Sequence, residues 1–187
     1  MDRIEFIKAV ATAALLGAVK SHADSGSGGE KALIVYFSWS GNTRLIAGKI
    51  KNITGADMAE LEPQKPYSRD YNTCLDEALR DQKKQARPKL KNRFDNIGEY
   101  KTVLLGYPNW WGSIPMPVAT FLQSYNFEGK KIIPFCSHGG GRFGQSISAI
   151  SKLCPKSILG KPFETYRAGG SSIDRDVANW LKENKIS

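Results

Sequence analysis

Cysteine is scarce in this 187-residue chain, and the three present, Cys74, Cys136 and Cys154, have no metal-ligand spacing and cannot all pair. That excludes a disulfide scaffold and a thiolate metal centre. Cys136 falls in an apolar strand pattern and reads as an inert core thiol, whereas Cys74 and Cys154 are the two that an oxidising compartment could join. Paired carboxylates, a Ser-His-Asp set and a metal-ligating cluster are also missing, so hydrolytic chemistry has no visible carrier. Long apolar runs are nearly absent. The stretch from Ala9 to Val19 follows Lys8 and precedes Ser21-His22-Ala23. It is too short for a permanent membrane span, and it ends in the small residues that signal peptidase reads. Residues 1–23 therefore read as an export signal, and 24–30, with their Ser and Gly, as a flexible linker. Asp2 to Lys8 is close to a twin-arginine signal, with Ile4 where one arginine would stand. The expected location is periplasmic or secreted, or membrane-anchored if the segment stays uncleaved.

Acidic residues are few as well, with 18 Asp and Glu against 27 Lys and Arg and a net charge of +9. The excess concentrates in Arg80, Lys83, Lys84, Arg87, Lys89, Lys91 and Arg93, set against the single Asp81. No aromatic residue interleaves with these cations, which removes the stacking platform that nucleic acid needs. What remains is a solvated surface, a docking face for an acidic partner, or a contact with an anionic membrane.

The remaining stretch, about 160 residues, suits one domain. It has neither an internal repeat nor a low-complexity tract. Ala32 to Phe37 is apolar without polar alternation, the pattern of a strand buried on both faces. Thr102 to Tyr107 and Lys131 to Cys136 repeat that pattern. Strands are expected at 32–37, 57–62, 101–107, 130–136 and 162–167, and helices at 43–53, 71–85, 115–125, 143–153 and 172–184. Pro115 and Pro117 suit a first helical turn, and Ser171 or Ser172 a cap. Ile173, Val177, Trp180 and Leu181 form an apolar stripe on the last helix. Strands alternating with helices give an α/β fold, a three-layer doubly wound parallel sheet. The fifth strand is short and polar, and the long 63–100 segment has room for an extra helix over the site.

The chemistry gathers in three loops at C-terminal strand ends, where ligands bind in open α/β sheets. The first is Ser38-Trp39-Ser40-Gly41-Asn42-Thr43, a hydroxyl-rich strand-to-helix turn. Free backbone N–H groups, the positive helix end and several hydroxyls make it a phosphate site. It lacks the lysine of a nucleoside-triphosphate loop, so a singly phosphorylated ligand held by neutral donors is expected. The second is Pro108-Asn109-Trp110-Trp111-Gly112, and the third is Ser137-His138-Gly139-Gly140-Gly141-Arg142-Phe143-Gly144.

These motifs, in this order, resemble the flavodoxin family, whose phosphate loop is roughly Ser/Thr-x-Ser/Thr-Gly-x-Thr after the first strand. The resemblance runs from Lys31 to the C-terminus. It implies a flavodoxin-like domain over 31–187, a five-stranded sheet in the order 2-1-3-4-5, and FMN as cofactor. By position, Ser38, Ser40, Asn42 and Thr43 donate to the phosphate, and Gly41 lets the backbone close on it. Trp39 lies over the ribityl chain or packs on the surface. Trp110 or Trp111 stacks on the flavin ring, worth about 1 kcal/mol beyond burial. Gly112 stands near flavin N5, where glycine can turn its peptide cheaply. The glycine run approaches the pyrimidine edge, joined by Asn109, Ser137 and Phe143. Arg142 either faces solvent at a helix start or, with its guanidinium within about 5 Å of N1 or O2, favours the reduced, negatively charged ring by roughly 3 kcal/mol. His138 is a proton donor near the ring or an ordinary loop histidine.

Two functions follow from the resemblance. One is an electron carrier between a reductase and an acceptor. The other is an FMN-dependent NAD(P)H:quinone, azo- or nitro-reductase, since this fold hosts both. Short loops favour the carrier. A non-redox binding module is disfavoured by the intact hydroxyl loop. The expected partners are a redox protein or small redox substrate, an acidic one if the basic segment takes part.

Overall fold

The computed structural model describes residues 31–186, so the export segment at 1–23 and the linker at 24–30 lie outside the described residues. The order of elements is β1 (Ala32–Tyr36), α1 (Asn42–Thr54), β2 (Asp57–Glu60), α2 (Tyr71–Lys83), β3 (Thr102–Pro108), α3 (Met116–Ser124), β4 (Lys131–His138), α4 (Ser146–Leu153), β5 (Ile158–Leu159), β6 (Phe163–Tyr166) and α5 (Ile173–Glu183). The strands run parallel in the order β2-β1-β3-β4-β5, with β6 also on β4. Successive residues of the central strands enter two separate cores because strand side chains alternate between faces. Val35, Leu105, Tyr107 and Cys136 pack with Val118 of α3 and Ile150 of α4. Ile34, Tyr36, Leu104 and Phe135 pack with Ile46 of α1 and Trp180 of α5. The stripe Ile173, Val177, Trp180 and Leu181 is buried as expected.

Several local expectations change. Ser172 does sit before α5, but its hydroxyl bonds the Asp176 carboxylate at 2.7 Å rather than a backbone N–H. Helix α4 begins at Ser146, not 143, because Phe143 to Gln145 form a turn closed by Ser146 N to Phe143 O, 3.0 Å. Beyond α2, the 63–100 segment adds only the short 3₁₀ turn Ile97–Glu99 among the described residues. No helix among them is long and apolar enough to cross a membrane.

The largest departure is the fifth strand, which is split. β5 pairs with Lys131 and Ile132, and β6 pairs with Phe135 to His138, leaving 160–162 out of the ladder. Pro134 explains the gap. Gly160 N donates to Ile132 O at 2.9 Å, so alternation turns the backbone of residue 134 toward the same neighbour. Proline has no N–H to offer there, and the neighbouring strand loses a rung. The orphaned groups are recovered by α5. Lys161 N donates to Asn184 Oδ1 (2.9 Å), and Lys161 O accepts from Asn184 Nδ2 (3.0 Å) and Trp180 Nε1 (2.7 Å). Asn184 is only 3% exposed. Asn184→Ala should therefore cost about 1–3 kcal/mol in urea unfolding by leaving Lys161 N without its partner while Trp180 still holds Lys161 O, and an unchanged midpoint would contradict this account.

All three thiols are free and buried, Cys74 and Cys154 included. Burial pushes Cys136 up to about 12 and Cys74 and Cys154 up to about 11. A raised value means less thiolate at a given pH. At pH 8 iodoacetamide should label the folded protein on the order of a hundredfold more slowly than the urea-unfolded chain.

Candidate functional site

The loops after β1, β3 and β4, together with helix α2, enclose a cavity of about 460 Å³, within the range of about 300–1,000 Å³ usual for small-molecule sites. Ser40 and Asn42 line one end, and Asn109, Trp110, Trp111 and His138 the other. Cys74, Leu75 and Ala78 of α2 form a wall.

At the first end, Gly41 precedes α1 with φ +91° and brings no side-chain cap, and the first turn holds no carboxylate. The N–H groups ahead of Arg44 are thus left for an anion. The expected phosphate donors divide. Ser40 and Asn42 face the cavity. The Ser38 hydroxyl instead accepts from Arg44 N at 3.3 Å. The Thr43 hydroxyl turns inward to Ser137 Oγ at 2.8 Å, with both residues buried. Trp39 braces the loop, its indole donating to Ser68 O at 2.8 Å and lying tilted against Tyr71. Arg44, the adjacent cation, is held by Glu60 through two bonds of 2.8 and 2.6 Å. Tyr36 also donates to Glu60 at 3.0 Å, and burial, with the Glu60 charge, pushes its phenol up to about 12.

At the second end, reciprocal 3.0 Å bonds between Trp110 and Ser113 close a two-residue turn. Its central residues, Trp111 at φ +49° and Gly112 at φ +73°, both adopt the left-handed conformation of a type I′ turn. Glycine accepts that conformation readily. A tryptophan there is strained, at a cost on the order of 1–3 kcal/mol. The surroundings hold it, with Trp111 Nε1 donating to Leu75 O (3.0 Å) and Gln82 Nε2 lying 3.3 Å from both Trp110 O and Trp111 O. Trp110 is set edge-on against Phe37 at 5.2 Å and Tyr67 at 5.0 Å, as a packed inner wall. Trp111 is 47% exposed and forms the outer one. The carbonyls beside Gly112 are engaged, Trp111 O by Gln82 and Gly112 O by Gln145 N at 2.6 Å, so the expected peptide movement would first have to break one of these bonds.

The glycine loop is tied to the tryptophan loop. Asn109 N donates to Ser137 O at 2.8 Å, and its side-chain amide donates to Gly141 O and Arg142 O at 3.1 and 2.6 Å. Gly139 lines the cavity, and Phe143 packs against the core. Gly140 N donates to His138 Nδ1 at 3.0 Å, which assigns the ring proton to Nε2, and Nε2 faces Glu164 Oε2 at 2.9 Å. That contact is close but badly angled, so Oε2 has no well-formed hydrogen bond although it is buried. Both nitrogens of His138 are occupied in shaping the loop rather than aimed at a ligand. Arg142 is likewise paired with Glu164 and is not among the cavity-lining residues. The charge expected to bias the ring is thus in direct contact with a carboxylate.

Glu164, the α2 wall, and Tyr166 and Arg167, which also line the cavity, are the residues that sequence reasoning missed. The signal for Glu164 was a charged residue in a short polar strand. For the wall it was only the helix expected in the long 63–100 segment, whose position α2 takes from packing.

Gly144 (φ +52°) lies where the two ring-end loops touch, and an added Cβ would stand 2.3 Å from Gly112 O. Gly144→Ala should push the loops apart, costing about 1–3 kcal/mol and speeding exchange of the Gln145 amide. Wild-type exchange in the variant would contradict the contact.

Residues 31–184 match the family described as Flavodoxin. No curated protein matches the chain. Among solved structures, a candidate flavoprotein from Bacteroides eggerthii is 28% identical at a TM-score of 0.73, with 85% of this chain and 100% of that one covered. A second, from Bacteroides uniformis, is 28% identical at 0.70, covering 82% and 99%. A Lactobacillus acidophilus flavoprotein solved in complex with FMN is 23% identical at 0.67, covering 81% and 99%, a likeness of fold.

Proposed function

The chain belongs to the flavodoxin family, and from that premise we propose that it binds FMN and carries electrons between a reductase and an acceptor. The observation that carries this reading is the cavity itself, with a helix N-terminus free of carboxylates at one end and two tryptophans at the other. Its donors suit the group. Ser40, Asn42 and the first N–H groups of α1 would hold the phosphate, the helix end supplying positive potential without a lysine. Trp110 and Trp111 would flank the ring, and Asn109 and Gly139 would meet its polar edge. FMN, when bound, supplies the redox chemistry, and the protein supplies orientation and electrostatics.

The carrier reading is supported by what the side chains around the cavity do. His138 is committed to Gly140 and Glu164. The Cys74 thiol is held in its protonated form, its value pushed up by burial. Neither is poised to serve a substrate. Residues 1–23 read as an export signal, which would separate the protein from cytoplasmic nicotinamide cofactors and leave a partner protein as donor.

An anaerobic absorbance record of the FMN-loaded protein tests this. Flavin bands should survive desalting, stay unbleached by NADPH, and bleach with dithionite. Loss on desalting would overturn the site, and prompt bleaching by NADPH would make the protein a reductase.

A further inference from the structure

Behind the tryptophan turn lies a second cavity, of about 520 Å³. Its floor is apolar, including Ile114 and Met116, both nearly fully buried. Its charged lining residues are Lys83, Arg87 and Lys152, with no carboxylate among the lining. Lys83 and Lys152 stand in the last turns of α2 and α4, where the helix ends favour cations. Arg87 is braced by Gln123 and by the carbonyls of Gln85 and Ala86, which fix its guanidinium without neutralising it. Lys84, next to Lys83 in the chain, is exposed as well. Other cations of this segment are matched, Arg80 by Asp81, Lys91 by Glu62 and Arg93 by Asp95. Among the described residues, Lys83, Lys84, Arg87, Lys89 and Lys152 have no carboxylate within ion-pair distance. Three of these unmatched cations, Lys83, Arg87 and Lys152, line the cleft itself.

Trp111 lines both this cleft and the site cavity. The strained turn that presents it makes it the partition between the two.

We infer that the cleft docks the acidic surface of a redox partner protein, one that sets carboxylates around a single apolar side chain, against the outer side of Trp111. The inference rests on the redox reading for the partner's identity as a redox protein. The binding itself rests on charge and shape. Cations spread from α2 across the following loop to α4 exceed what one small anion engages, and complementary charge sets orientation and encounter rate. The apolar floor argues for a protein rather than a bilayer, because a flat anionic surface would meet the rim and leave the floor uncovered.

The test is an NMR titration of the full chain, with and without FMN, using the peptide Glu-Glu-Leu-Glu-Glu as probe. Amides of Lys83, Arg87, Trp111 to Met116 and Lys152 should shift together. Affinity should fall about tenfold or more between about 50 and 300 mM salt. The double charge reversal Lys83→Glu/Lys152→Glu should abolish the shifts while leaving the protein folded, at a slightly lowered unfolding midpoint, since both side chains are exposed but stand at helix C-termini. Shifts elsewhere, or shifts that survive the reversal, would overturn the proposal. So would stronger perturbation of the same amides by phosphatidylglycerol vesicles, which would make this a membrane face, or by NADPH, which would make it a nucleotide site. Peptide binding by a protein that loses flavin on desalting would fail the redox reading and spare the cleft. Retained flavin without peptide shifts would fail the cleft alone.

Discussion

Strands β1, β3 and β4 are buried on both faces, so their backbone groups must pair with one another and their polar loops can leave only at the ends. The ladder is parallel and continuous in register, with Tyr36 opposite Gly106 and Gly106 opposite Phe135. A slip of one residue would send each side chain into the other core, so the register is strongly specified. Gly106 tightens it further, because a Cβ there would lie 2.2 Å from the Phe135 ring. The phosphate loop, the tryptophan turn and the glycine loop all hang from the same end of this ladder.

Their positions are then set by bonds between loops. Thr43 joins α1 to the end of β4 through Ser137, Asn109 joins the tryptophan turn to the glycine loop, and Gln145 N holds the carbonyl of Gly112. Helix α2 closes the fourth side and restrains the strained Trp111 through Leu75 and Gln82. Hydroxyls that look like ligand donors in a strand-to-helix turn are partly used to hold the turn itself. What is left for an anion is a smaller set of side chains and the backbone.

Charge is sorted in the same way. Two arginines near the site are matched by carboxylates, Arg44 by Glu60 and Arg142 by Glu164, while Arg167 lines the cavity and lies over the Tyr166 ring. Arg167 is thus the cation that the cavity keeps, in a chain that carries +9. On the flank behind Trp111, Lys83, Arg87 and Lys152 line a cleft with no carboxylate among its lining. Long-range charge then steers approach, and short-range pairing shapes the site.

Much of this was legible in the residues alone. Apolar runs without alternation marked the buried strands, the strand-helix alternation marked the parallel sheet, and the loops at 38–43, 108–112 and 137–144 marked where a ligand binds. These are local patterns, carried by neighbours a few residues apart. Pro134 already held the reason for a divided fifth strand, but its consequence depends on which neighbour its missing N–H faces. Which hydroxyls turn inward, which carboxylate cancels Arg142, and which helix walls the cavity were decided by tertiary structure. Thr43 and Ser137 are 94 residues apart, and Trp111 and Leu75 are 36 apart. No periodicity reaches across such distances. Those pairs exist because packing two cores against one sheet brings the strand ends to a common edge, where each buried polar group takes the partner that lies beside it.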